Sequence, residues 1–173
     1  MRSCLLVKLS AGSLLALAMA VTAAPVGAQS GATILKPADM GKLMPAAVFY
    51  RGQTATTQLR NSGGLKFSDG YYVLASLVDT SGYSSGIAAK YQAYFITEVP
   101  IKIGGKNLAA GVYGIGFVAG NKFVVTDVGG HDVLSTGSAT DANIKRPMPL
   151  QLLANPGGGF RLYAGRQYVI LSR

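Results

Sequence analysis

The sequence predicts an all-β domain, a single β-sandwich or partly closed barrel of about nine or ten short, mostly antiparallel strands. Three observations carry this expectation. Glycine supplies 23 of the 173 residues, roughly twice the average share of about 7%, so turns are frequent. Charged residues make up 13% against about 25% in an average chain, which excludes long charged helices and coiled coils. A hydrophobic share of 49% and nine tyrosines allow enough burial to exclude a disordered chain.

The first residues read as an export signal. Arg2 and Lys8 give a basic start, residues 14–21 form an apolar core, and Val26-Gly27-Ala28 offers small residues for cleavage after Ala28. Residues 1–28 are therefore expected to be a signal peptide, 29–45 a lead-in segment, and 46–173 the β-sandwich domain. The apolar core is shorter than the ~20 residues a membrane span needs, so no span is expected once the signal is removed. Cys4 is the only cysteine and precedes that core. The exported chain, periplasmic or secreted, would have neither a disulfide nor a thiolate metal site.

Loss of Arg2 and Lys8 from 16 basic residues, against seven acids, leaves a net charge of +7 on the mature chain. Such a surface attracts anionic partners, for which an anionic envelope component is the natural candidate beside another protein. The cations are scattered, with Lys145-Arg146 the only adjacent pair. No basic run or nucleic-acid motif is present, so no nucleic-acid partner is expected.

Each element follows from local pattern. Residues 29–36 read as a mobile lead-in, and Pro37, Gly41 and Pro45 restrict the next stretch to a short turn. Residues 47–50 and the β-branched, alternating residues 53–59 read as strands. Asn61-Ser62-Gly63-Gly64 reads as a turn before a short run at 65–67. Residues 71–78 are apolar almost throughout, which places them in a central strand covered on both faces. Residues 87–96 fit helical and strand spacing alike, and their aromatics favour a strand from near Lys90. Ile101 and Ile103 alternate into Gly104-Gly105, a two-residue hairpin turn. Residues 112–118 form a strand in which Gly114 and Gly116 leave room for a close neighbour. Gly111, just before it, is expected to need positive φ or close backbone approach. Residues 122–128 follow, then a long polar connection at 129–149 with a short strand near Val133-Leu134. Residues 150–153, 159–163 and 167–171 are the last three strands.

The stretch Gly105-Lys106-Asn107-Leu108-Ala109-Ala110-Gly111-Val112-Tyr113-Gly114-Ile115 resembles a pattern, G-K-x-L-x-A-G-x-Y, of secreted bacterial β-sandwich families of unknown function. The resemblance implies export and an all-β domain. It carries no catalytic residue.

Three constellations could carry chemistry. Gly82-Tyr83-Ser84-Ser85-Gly86 has the spelling of a nucleophile elbow, where glycines permit the sharp turn that exposes a serine. Ser84, Asp127 and the single histidine His131 follow in the order of an α/β-hydrolase triad, so a small serine hydrolase using Ser84 and His131 is the alternative function. The chain lacks crossover helices for the doubly wound sheet such an elbow needs. Asp127 and Asp132 flank His131 and could offer oxygens to a hard cation, although the spacing fits no EF-hand and no second histidine is available for zinc. Tyr50-Arg51 and Arg161, Tyr163, Arg166 and Tyr168 interleave cations with aromatics, a pattern suited to stacking on sugars or gripping anions. Tyr50, Arg51, Arg161 and Arg166 are thus the binding candidates. Packing of the rings beneath arginine stems would explain the same pattern. The leading expectation is an exported, non-catalytic envelope or secreted binding domain that needs no cofactor.

Overall fold

The computed structural model describes residues 31–173. The expected signal peptide and its cleavage point after Ala28 lie outside the described residues. The chain forms β1 (Ala32–Leu35), α1 (Pro37–Met40), β2 (Ala47–Tyr50), β3 (Gln53–Phe67), β4 (Tyr72–Val78), α2 (Ser85–Lys90) and β5 (Ala93–Thr97). It continues with β6 (Ile101–Ile103), β7 (Lys106–Leu108), β8 (Gly111–Val118), β9 (Lys122–Thr126) and β10 (Asp132–Gly137). The last elements are β11 (Ala139–Thr140), β12 (Gln151–Ala154), β13 (Phe160–Ala164) and β14 (Gln167–Ser172).

The strands make two antiparallel sheets, a sandwich rather than a closed barrel. The larger has eight strands in the order β1-β3-β4-β5-β8-β9-β10, with β2 also paired to β3. The smaller has six in the order β12-β13-β14-β6-β7, with β11 also paired to β14. Alternation along the strands fills the space between them. Phe95, Ile115, Phe123 and Val125 of the large sheet pack in one core with Ile103, Leu162, Val169 and Leu171 of the small one.

The outer face of the large sheet is covered as well. Val73 and Ala75 of β4 point into the main core, whereas Leu74 between them packs with Met40 and Met44. The near-continuous apolar run of β4 thus has the two-sided burial expected of it. A second outer cluster joins Val48, Tyr50, Ala55, Val78, Tyr83 and Tyr91, with Ile87 of α2 packed against it.

The hairpin at Gly104-Gly105 follows its expected form. Ile103 pairs with Lys106, and the two glycines take φ of 54° and 81°, the mirror-image turn that matches strand twist.

Several expectations are corrected. Residues 32–35, read as mobile, are β1, hydrogen-bonded to β3 through Ala32↔Phe67 to Leu35↔Gly64. Full burial of Met40 anchors the segment after it, a side chain whose transfer from water stabilises by about 1.5–3 kcal/mol. Residues 61–64 are not a turn. They continue β3 across a register irregularity between Thr57 and Ser62. A Cβ at Gly64 would stand 2.7 Å from the Val73 carbonyl oxygen, so this glycine serves close packing. The stretch from Ser85 is helical to Lys90, and the strand begins at Ala93. The connection at 129–149 holds a six-residue edge strand, β10, and the short β11. Gly111 is an ordinary strand residue opposite Thr97, with the Tyr113 hydroxyl 2.8 Å from where its Cβ would be.

Candidate functional site

The structure brings together two of the three triad candidates. Asp127 ends the β9 side of the β9–β10 hairpin, and its carboxylate closes the loop. It accepts the His131 backbone N–H at 2.9 Å and lies 3.0 Å from His131 Nδ1. These bonds, the backbone one first, hold the Asp127 carboxyl below its ordinary range. Ser84 sits elsewhere, as the N-cap of α2 with no side-chain capping bond. Among the described residues no hydrogen bond links Ser84 to Asp127 or His131. The strand before it ends at Val78 and the sheet is antiparallel, so the strand–nucleophile–helix turn of an elbow is not formed.

The two metal candidates have different partners. Asp127 faces His131, while Asp132 takes the Lys90 ammonium on both oxygens at 2.9 and 2.8 Å. Among the described residues no group of three or more His, Cys, Asp and Glu is gathered for a metal.

The arginine–tyrosine constellations are internal ties. Tyr50 is buried, and its hydroxyl lies 2.7 Å from Thr126 Oγ1. Arg51 donates to the Gly129 carbonyl at 2.9 Å and its backbone N–H to the Val128 carbonyl at 2.8 Å, which pins the β2–β3 turn to the β9–β10 loop. Arg161 lies over the Tyr168 ring at 4.4 Å and bonds Asn155 at 2.8 Å. Tyr163 donates to Asp141 at 2.9 Å. Arg166 clasps the Ala142 and Ile144 carbonyls at 3.0 and 3.1 Å. Asp141, which the sequence did not single out, is the hub. Its carboxyl is lowered first by the Tyr163 hydroxyl, then by the Asn143 backbone N–H, with the Arg161 charge adding.

Arg51 does border a cavity of about 220 Å³ between α2 and the β9–β10 loop, together with Tyr50, Ile87, Lys90 and Gly130. Both cations there are already engaged, Arg51 by a carbonyl and Lys90 by Asp132, so its pull on an anion is weakened.

A second cavity has a different character. A groove of about 470 Å³ opens where the edge strands β1 and β12 meet. Ile34 and Leu35 of β1, Leu152 and Leu153 of β12, and Met148 line it. Met148 and Leu153 are exposed despite their size. The groove is floored by Ser62 and Gly63 of β3 and bordered by Lys36. Gln151, also in the lining, has its Nε2 buried with no hydrogen-bond partner among the described residues. Sequence reading missed this site because it treated 29–36 as a mobile lead-in. The apolar pair Ile34-Leu35 was the signal that a strand lay there.

Comparison with protein-family models, with curated proteins and with solved structures returned no match.

Proposed function

We propose that this protein is an exported, non-catalytic binding domain of the envelope or the secreted fraction, and that it binds in the groove between β1 and β12. The observation that carries the reading is the composition of that groove. It is an apolar trough of about 470 Å³, within the range of about 300–1,000 Å³ that small-molecule sites occupy. Two free sheet edges form its walls, and a few polar groups stand among the apolar ones. The other clustered polar residues satisfy one another and hold loops in place.

A neutral apolar fluorophore, N-phenyl-1-naphthylamine, tests this. Saturable binding of one probe per chain is expected. Gly63→Leu should abolish it, since Gly63 lines the trough and a leucine side chain added there takes up its space. Met148→Asp, at an exposed position, should weaken it with the melting temperature retained. Absence of saturable binding to the wild type refutes the reading.

A further inference from the structure

Resting on the groove as the binding site, we propose that its ligand is a free long-chain carboxylate, one acyl chain with the anionic head at the Lys36 border. The walls set the first half of this. Ile34, Leu35, Leu152, Leu153 and Met148 offer hydrocarbon on both sides, and an acyl chain gains from every methylene it buries there.

The head is set by what the groove lacks. Among the described residues the Gln151 amide keeps a buried donor with no acceptor, a costly state that an oxygen of the ligand relieves. Among the described residues no carboxylate lines the groove, so a cationic amphiphile finds no counter-charge. Lys36 supplies positive charge at the border, and among the described residues its side chain enters no ion pair. Asp39, the nearest acid in sequence, accepts the Lys36 backbone N–H at 2.9 Å and is occupied in capping α1. Lys145 and Arg146, both exposed, stand just before Met148 in the chain.

Lys36 and Gln151 both line the groove. The β1–β3 register ends with Leu35 opposite Gly64, and Lys36 follows it directly as the N-cap of α1. From the other sheet, Leu152, the neighbour of Gln151 in β12, comes within 3.7 Å of the Cβ position of Gly63.

Displacement of N-phenyl-1-naphthylamine from the purified protein by dodecanoate and by dodecan-1-ol tests the proposal. Dodecanoate is expected to displace at about tenfold lower concentration, the size of one charge-assisted contact. Affinity should rise by up to about fourfold per added methylene from octanoate upward, until the groove is full. Lys36→Glu should weaken dodecanoate about tenfold and leave dodecanol unchanged. Gln151→Leu should narrow the acid–alcohol difference. Equal displacement by acid and alcohol overturns the carboxylate while leaving an apolar binding site. Displacement only above the micellar concentration overturns it as well. No probe binding removes the site on which it rests. A dimer that Gly63→Leu dissociates would assign the groove to a second copy of the chain and overturn the proposal.

Discussion

Tyr50 lies face to face on Tyr91, with ring centroids 3.6 Å apart and planes 10° from parallel. Tyr83 meets both edge-on, at 6.0 and 5.5 Å. This cluster fastens β2 and α2 to the outer face of the large sheet, and its hydroxyls are treated unequally. Tyr50 pairs with Thr126, and Tyr83 donates to the Tyr50 carbonyl at 3.1 Å. The Tyr91 hydroxyl is buried with no hydrogen-bond partner among the described residues. Burial drives its pKa far above the ordinary tyrosine value.

Removal of that hydroxyl should therefore stabilise the protein. An unsatisfied buried polar group costs about 1–3 kcal/mol, and Tyr91→Phe deletes it while keeping the stack. Tyr50→Phe should instead cost about 1 kcal/mol, the net worth of an ordinary hydrogen bond. Thermal melts measure both. A Tyr91→Phe variant that melts below the wild type would show that its hydroxyl has a partner in solution.

The same cluster dictates which glycines are replaceable. A Cβ at Gly114 would come within 2.8 Å of Tyr91, Thr126 and Tyr50 atoms, and one at Gly116 would press on the Lys90 backbone carbonyl. Neither surrounding can yield easily. At Gly111 the obstacle is the end of the Tyr113 side chain rather than backbone, held by one hydrogen bond to the Ala109 carbonyl at 3.1 Å. Gly114→Ala and Gly116→Ala should each cost about 1–3 kcal/mol, as overpacking does, and Gly111→Ala clearly less. Denaturant titration ranks the three, and an equal loss at Gly111 would contradict its placement as a plain strand residue.

These glycines mark the boundary of what could be read in advance. Period-two alternation and paired turn glycines are local signals, so β2, β6, β8, β13 and β14 were legible, as was close packing against Gly114 and Gly116. Gly63-Gly64 has the spelling of a turn, yet Val73 and Leu74 lie against Gly64. That contact joins residues about ten apart in the chain, and no local pattern records it. The groove is less legible still. It exists because β1 and β12, from opposite ends of the chain, become the neighbouring edges of two sheets. The arginine–tyrosine spelling around Arg161 was visible, but its use depends on Asp141, a residue 20 positions away.

Asp141 also sets an acid-stability expectation. Its carboxyl has a lower pKa in the folded chain than the ordinary 3.8, chiefly through the Tyr163 hydroxyl. The folded state thus binds that proton more weakly than the unfolded state. The contribution is complete above the unfolded value and disappears as pH falls through the lowered one. Asp141→Asn should lower the melting temperature at neutral pH. It should also make the acid limb shallower below pH 3.8. Parallel acid limbs for the two proteins would exclude Asp141 as a contributor.

Export makes a separate expectation. The basic start, short apolar core and small residues at 26–28 converge on cleavage between Ala28 and Gln29. N-terminal sequencing of the exported protein should begin at Gln29. A start upstream of Val21 would show the segment retained as an anchor.

The last expectation separates binding domain from hydrolase. A serine nucleophile needs its base within hydrogen-bond reach and a third group orienting that base. Here the orienting pair is complete, since Asp127 holds His131 at 3.0 Å, but the pair closes a hairpin loop and the imidazole is 79% exposed. Ser84 caps α2 and has no bond to either residue among those described. The Asp127–His131 contact thus has a sufficient structural purpose, shared with the Asp127 carboxylate's bond to the His131 backbone at 2.9 Å. A fluorophosphonate probe should leave the wild type unlabelled. Ser84→Ala should keep the wild-type melting temperature and the wild-type affinity for N-phenyl-1-naphthylamine. His131→Ala should lose no more stability than a surface substitution does, because the backbone bond to Asp127 survives it. Stoichiometric labelling that vanishes in Ser84→Ala would make the serine a nucleophile and replace the binding-domain reading with the hydrolase.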